Sequence, residues 1–338
     1  MNKSLISYNS SLNPEVFLDQ FSVIPSMLPH NKKRPLPKSD YWKYLISVFP
    51  EVEKELYIFR EGDRDLGRIS VNLSVGNKDT AFFGMIDHCI ENKVVSKELY
   101  AAAEMWAKKQ GAKSLIGPID LNVWFGNRFQ TDGFNTQFSW APNNPSEYYK
   151  IAIDNGFKKD QGYSSKFFDA LEEQVCRTKN GHDLALREGY TFRPMNLDSD
   201  ADIERLYKLN TDSFSANYLY EPISKEQYFK THIEFIKGTD LSLSFFIIDK
   251  EMVPRGYVYC FLDEDILIIK SILIEKEFQG AKLSSALIHK ACKEAHNRGY
   301  TKGAGVLIRD GNVSSKFYDK IGDPFLVHKY NMVKKELY

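Results

Sequence analysis

The chain has 338 residues, 43% hydrophobic and 27% charged, a globular composition that excludes a disordered or fibrous protein. Its 45 Lys and Arg balance its 45 Asp and Glu. It therefore lacks the basic excess of a protein that grips nucleic acid or an anionic membrane surface, and neither partner is expected.

At roughly 100–200 residues per domain, this length suggests two domains. The opening MNKSLISYNSSLNPEVF has no sustained apolar core and no small-residue cleavage site, so no signal peptide is expected. No apolar run approaches the ~18–20 residues needed to span a bilayer. Cys89, Cys176, Cys260 and Cys292 lie far apart without a C-x-x-C pair, which predicts free thiols in a reducing cytoplasm. The seven histidines are scattered, and no metal site is expected.

In chain order, strands are predicted near 55–60, 66–73 and 81–90. A helical period follows over 95–110 and stops at Gly111, and a short strand covers 114–116. The charged, weakly periodic stretch 171–189 marks a boundary, giving domains 1–172 and 185–338. Beyond it come a strand at 190–193 and helices near 200–213 and 225–237. Strands at 243–249, 257–262 and 266–274, a helix at 283–298 ending at Gly299, and a strand at 304–308 complete the pattern. Hairpins feeding a strand–helix–strand unit indicate an α/β protein with a mixed, α+β-like sheet.

One ordered grammar occurs twice: helix, Gly, strand, Asn-x-Ser, aromatic pair, Gly. It runs through Gly111, 114–116, Asn144-Pro145-Ser146, Tyr148-Tyr149 and Gly156, and again through Gly299, 304–308, Asn312-Val313-Ser314, Phe317-Tyr318 and Gly322. Two copies of one fold are the simplest reading. From Gly to Asn the first copy takes 33 positions and the second 13. The surplus includes Trp124, Phe125, Arg128, Phe129, Phe134, Phe138 and Trp140. So aromatic a loop either packs on its own domain or at the domain interface, or walls a substrate pocket. In the second case Trp124 and Arg128 are the candidate substrate-binding residues.

The stretch most informative about chemistry runs from Ser271 to Leu287. An apolar strand enters a turn holding Gln279, Gly280 and Ala281. The turn opens a helix whose Leu283, Ala286, Leu287, Ala291 and Ala295 share one face. Free N–H groups at such a helix start form an anion site, to which Lys282, Ser284 and Ser285 could add a charge and hydroxyls. Asp263, Glu264 and Asp265 form a hairpin tip that is either simply solvated or holds a general base, Asp265.

This segment resembles the coenzyme A pyrophosphate loop of the GNAT acyltransferase superfamily. Phe278, Gln279 and Gly280 match its pattern. Lys276 stands where Pro is usual, and Lys282 and Ser284 occupy its second and third small positions, where side chains would crowd a backbone that must approach phosphate. The stretch 312–318 resembles the superfamily's Asn-x-x-Ala/Ser-x-x-Tyr segment. The resemblance implies two tandem GNAT-like domains and an acyl-CoA-dependent transfer, from acetyl-CoA or another acyl-CoA, to a small-molecule amine or amino acid. It implies cofactor contacts from Ile272, Leu273 and Ile274, from 279–285, and from Asn312, Ser315 and Phe317. It implies that Tyr318 protonates the departing thiolate, although an amphipathic helix also explains that residue.

The first copy reads His88-Cys89-Ile90-Glu91-Asn92 where strand meets helix. It has no glycine there, and Glu91 would repel phosphate. It is similar to the half of bacterial tandem-GNAT proteins that binds no cofactor. Cofactor binding is therefore expected in the second copy alone. An aminoacyl-tRNA-dependent transferase of the tandem-GNAT kind and a non-catalytic binding protein are the other readings. His88 and His289 are read as structural.

Overall fold

The structure, a computed structural model, describes residues 2–32, 36–312, 315, 318 and 323–338. The chain divides into two compact units. Unit 1 holds residues 1–162, 219–222 and 329–338, and unit 2 holds 163–218 and 223–328. The units therefore do not follow the contiguous spans 1–172 and 185–338, because each takes a strand from the other half of the sequence.

Unit 1 begins with β1 (Lys3–Ser7), α1 (Pro14–Met27) and α2 (Ser39–Val48). Asn13 starts α1 by accepting the Val16 N–H, with Pro14 in the first turn where no N–H is needed. Next come β2 (Lys54–Glu61), β3 (Arg64–Leu73), β4 (Thr80–His88), α3 (Lys93–Lys109), β5 (Ser114–Gly117), β6 (Phe129–Asp132), α4 (Glu147–Asp154) and β7 (Lys158–Phe168). β1 to β4 are antiparallel neighbours, and β5 lies parallel to β4. α3 packs Val95, Leu99, Tyr100 and Ala103 into one apolar core with Val71, Phe83 and Leu115 of the sheet. Arg68 of β3 is fully buried, its guanidinium 4.9 Å from the Phe21 ring centre and 4.4 Å from that of Trp42, and it pairs with Asp87 at 2.9 Å.

Unit 2 opens with α5 (Leu171–Arg187), so the expected linker is a helix. β8 (Thr191–Pro194), α6 (Asp200–Phe214) and α7 (Lys225–Tyr228) follow, then a π turn (Phe229–Ile233) and α8 (Glu234–Lys237). β9 (Phe245–Ile248), β10 (Pro254–Asp263), β11 (Ile266–Ile274), α9 (Leu283–Asn297) and β12 (Lys302–Arg309) complete it. β8 to β11 are antiparallel neighbours, and β12 lies parallel to β11. α9 and α5 cover one face, with Leu283, Ala286, Leu287 and Ala291 packed on Val258, Cys260 and Leu267.

The last strand is β13 (Leu326–Glu336). In unit 1 it pairs antiparallel with β5, from Val333 opposite Gly117 to Glu336 opposite Ser114. In unit 2 the corresponding place beside β12 is taken by β7, from Gly303 opposite Phe168 to Arg309 opposite Tyr163. Both units thus share one topology: four antiparallel strands, a helix, a parallel strand, then an antiparallel strand from the other half of the sequence. This is the internal repeat read from the sequence.

Candidate active site

In unit 2 the parallel pairing of β11 with β12 runs from Ile266–Lys302 to Ile269–Gly305 and ends there. At the same level β11 bulges. Cys260 faces Ile269 and Tyr259 faces Ser271, leaving Lys270 as the extra residue. The irregularity therefore lies just before Ile272, Leu273 and Ile274. Beyond Ile269 that edge of β11 has no paired strand among the described residues, and the two strands part. A parted strand edge leaves backbone N–H and C=O groups for another partner.

The loop past Ile274 is tied down. Glu275 accepts from Arg205 at 2.9 Å and from Arg255 at 3.1 Å, and Arg255 lies 4.4 Å from the Phe278 ring centre. The Gln279 side-chain amide donates to Ile274 O at 3.2 Å, so it fastens the loop to the strand end. Gly280 has φ +92°, with open space where a Cβ would point. Lys282 has φ +58° and is the N-cap of α9, without a side-chain cap bond. The loop thus keeps the left-handed backbone that favours glycine at a position occupied by lysine. The Lys282 and Ser284 side chains are exposed, and the Ser285 Cβ faces Gly181 of α5. The uncapped first turn of α9 leaves its N–H groups for an outside acceptor, as an anion site requires.

Tyr318 is brought to the point where the strands part. It is 6% exposed and packs with Phe168 and Ile308, and a Cβ at Gly305 would lie 2.2 Å from its Cζ. Burial raises the phenol's pKa far above its usual range, so it stays protonated. Asn312 accepts the Ser315 N–H at 2.7 Å, as a residue opening a turn does. Phe317 lies outside the described residues.

Asp265 is not brought to this place. It sits at the opposite end of β11, about five residues from the bulge and so roughly 15 Å along the strand. Its side chain pairs with Lys302 at 2.6 Å, which holds its carboxyl below the usual carboxylate range. Trp124 and Arg128 belong to unit 1, whereas the loop belongs to unit 2. The Trp124 indole donates to Glu221 O at 2.9 Å, Phe125 packs edge-on to Phe49, and Phe129 joins the core around α3, so these parts of the aromatic stretch pack within unit 1. His289 is buried with Nδ1 2.9 Å from Val175 O, and burial pushes its pKa down. Burial lowers the pKa of His88 to about 4, which keeps it neutral at pH 7.

Unit 1 has a comparable strand irregularity. β4 also bulges, at Met85 with φ +44°, and its pairing with β5 also ends early, at Phe82–Ile116. Here the freed edge is taken by the chain itself. Ile119 N donates to Phe83 O at 2.6 Å, and Met85 N donates to Asp120 Oδ1 at 2.6 Å. A Cβ on Gly84 would lie 2.1 Å from Ile119 O, so the backbones touch. Burial raises the Asp120 carboxyl to about 6, against the pull of the Met85 amide and Arg68. Met85, Asp120 and Gly84 were not singled out from the sequence. The glycine inside a strand was the one available signal of a close backbone approach.

Residues 203–322 match the model of the acetyltransferase (GNAT) family. Over 100% of its length the chain superposes on 99% of a tandem GNAT protein from the clavulanic acid biosynthesis pathway, with a TM-score of 0.59 and 12% identity. The chain has the fold of a tandem GNAT protein. Curated relatives are Protein YghO of Escherichia coli K12, 29% identical over 139 residues, and the bacterial ceramide synthase of Caulobacter vibrioides, 24% identical over 192 residues. These matches cover 40% and 53% of this chain and 33% and 48% of the relatives, so the chain matches half or less of each. Among its described residues no helix is long and apolar enough to cross a membrane.

Proposed function

We propose that the protein is an acyl-CoA-dependent N-acyltransferase whose thioester site is in unit 2. The observation that carries this is the parting of β11 and β12 at Ile269–Gly305, followed by an uncapped helix start at Lys282. The first-turn amides of α9 would hold the pyrophosphate, with Gly280 and Lys282 keeping the loop's left-handed turns. Backbone N–H groups beside the Lys270 bulge would hold the acyl carbonyl oxygen as it gains charge. An amine attacks the acyl carbon directly and loses a proton to water, the C–S bond breaks, and Tyr318 gives a proton to the thiolate sulfur and regains one from water. Asp265, tied to Lys302 at the far end of β11, is left without a role.

The acceptor is a small-molecule amine or amino acid. The name of the Caulobacter relative describes formation of a ceramide, itself an amide, which favours nitrogen as the accepting atom. Calorimetry of the full chain against acetyl-, octanoyl- and palmitoyl-CoA, followed by thiol release with short- and long-chain amines, tests the reading. Saturable binding of at least one acyl-CoA with amine-dependent thiol release is expected. Binding without release under every amine leaves a non-catalytic binder, and no binding overturns the reading.

A further inference from the structure

Helix α5 reads as a charged linker in the sequence, yet it lies along the cofactor-loop helix. Its buried positions are Leu171, Gln174, Thr178, Gly181 and Ala185, one stripe at intervals of three and four. At Gly181 the two helices come closest. A Cβ there would lie 2.7 Å from Ser285 Cβ, 3.2 Å from Lys282 O and 3.5 Å from Ala286 N. All three atoms belong to the start of α9. Gly181 does not have a positive φ, so its backbone does not require glycine. A mid-helix glycine costs ~0.5–1 kcal/mol against alanine. Its presence is explained by the space it leaves.

The neighbouring turn reinforces the contact. His289 Nδ1 sits 2.9 Å from Val175 O, and the His182 and His289 rings are 4.4 Å apart. α5 is thus anchored on α9 at His289, one turn past Ser285, and Gly181 decides how near it comes to the first turn. Lys282 holds a left-handed conformation that a lysine does not adopt unaided, and such strain persists only where surrounding structure fixes it. The close approach of α5 to Lys282 O supplies that fixing.

We propose that Gly181 is a positioning residue for the phosphate loop: it lets α5 seat against Lys282 and Ser285 and so holds the amides of 281–285 in place. The proposal rests on the acyl-CoA reading of the loop. The test uses the full chain with Gly181→Ala, Ser285→Gly and the double variant. The ligands are coenzyme A and pantetheine, which lacks the pyrophosphate. Amide hydrogen exchange over 281–285 is measured without ligand.

Gly181→Ala is expected to weaken coenzyme A by about tenfold or more, to leave pantetheine within twofold, and to speed exchange over 281–285. On the Ser285→Gly background the same change is expected to cost much less, because the tightest clash is with the Ser285 Cβ. That background also serves if Gly181→Ala alone does not fold. Unchanged coenzyme A affinity with unchanged exchange overturns the proposal, as does equal loss of pantetheine. If the wild-type chain binds no coenzyme A, the acyl-CoA reading fails, and the exchange rates alone decide whether Gly181 fixes the turn.

Discussion

The ring of Tyr318 lies against Gly305, at the last residue through which β12 still pairs with β11. Only a residue without a side chain leaves room there, since any Cβ would enter the phenol ring. In the proposed reaction this puts a protonated phenol beside the parted strands. Tyr318→Phe keeps the packing with Phe168 and Ile308 and removes the proton. General-acid help is worth about 10²–10⁴ in rate, but a thiolate leaves fairly well unaided, so kcat is expected to fall by roughly 10- to 1000-fold with KM for acyl-CoA unchanged. Wild-type kcat where chemistry limits turnover would return the proton to water. Gly305→Ala is expected to lower kcat in the same range by displacing the ring, with an accompanying drop in Tm.

Gly280 and Lys282 make opposite predictions from similar backbones. Gly280 at φ +92° meets nothing within 4 Å, so Gly280→Val pays in conformation and not in collision with the protein. Its effect on coenzyme A binding is expected to be a loss of tenfold or more on the order of 1–3 kcal/mol of backbone strain. Lys282→Gly relieves a left-handed residue, worth ~1–2 kcal/mol, and adds ~0.5–1 kcal/mol of chain entropy, for a net stability change of roughly 0 to +1.5 kcal/mol. Its coenzyme A affinity is expected to equal or exceed that of the wild type. Titration calorimetry and thermal melts of both variants decide it. A Lys282→Gly that binds more weakly than Gly280→Val would make Lys282 a phosphate ligand.

The parts legible in the sequence were those in which local pattern and tertiary role agree. α3 and α9 present apolar stripes closed by Gly111 and Gly299, and β11 is apolar on both sides of Lys270 and Ser271, with its observed ends at 266 and 274. α5 reads as a linker because, past Leu171, its buried stripe is built from Gln174, Thr178, Gly181 and Ala185, which carry little hydrophobic signal. α1 has no clear helical signature in the sequence because Pro25 lies within it and because Val16, Val23 and Met27 remain exposed, which blurs its inner face. The exchange of β7 and β13 could not be read, since a strand's partner is a tertiary fact and both flanks read as ordinary strand ends. The same limit applies to the site. Gly280 and the helix start are visible in the sequence, but the bulge at Lys270 depends on register, which a strand's own residues do not set.

One coenzyme A per chain is expected. The first copy has no glycine between His88 and Asn92, where its strand meets its helix, and its strand edge is filled by Ile119 and Asp120. A fragment of residues 1–175 is a poor test of this, because it would lack Lys329–Tyr338, which unit 1 includes beside β5. The full chain serves better. Calorimetric stoichiometry near one, falling to undetectable binding in Gly280→Val at the same concentrations, is the expected pair of results. A second site surviving that substitution would place cofactor in unit 1.

Asp120 should leave its mark on the pH dependence of stability. Its folded-state carboxyl is raised from 3.8 to about 6, with burial the larger cause and the Met85 N–H and Arg68 opposing it. A raised acid binds its proton more tightly in the folded chain than in the unfolded one. Its contribution is therefore fully present below about pH 4 and is lost as pH rises through about 6. Part of the residue remains exposed, so the loss is discounted to roughly 1–2 kcal/mol. Asp120→Asn keeps an oxygen for the Met85 N–H and removes the titration. Between pH 4 and 6.5 the Tm of the wild type is expected to fall relative to that of Asp120→Asn, with the difference levelling above pH 7. Parallel curves for the two proteins would mean that the carboxyl is solvated, and that the occupied edge of β4 is held by the Ile119–Phe83 backbone bond alone.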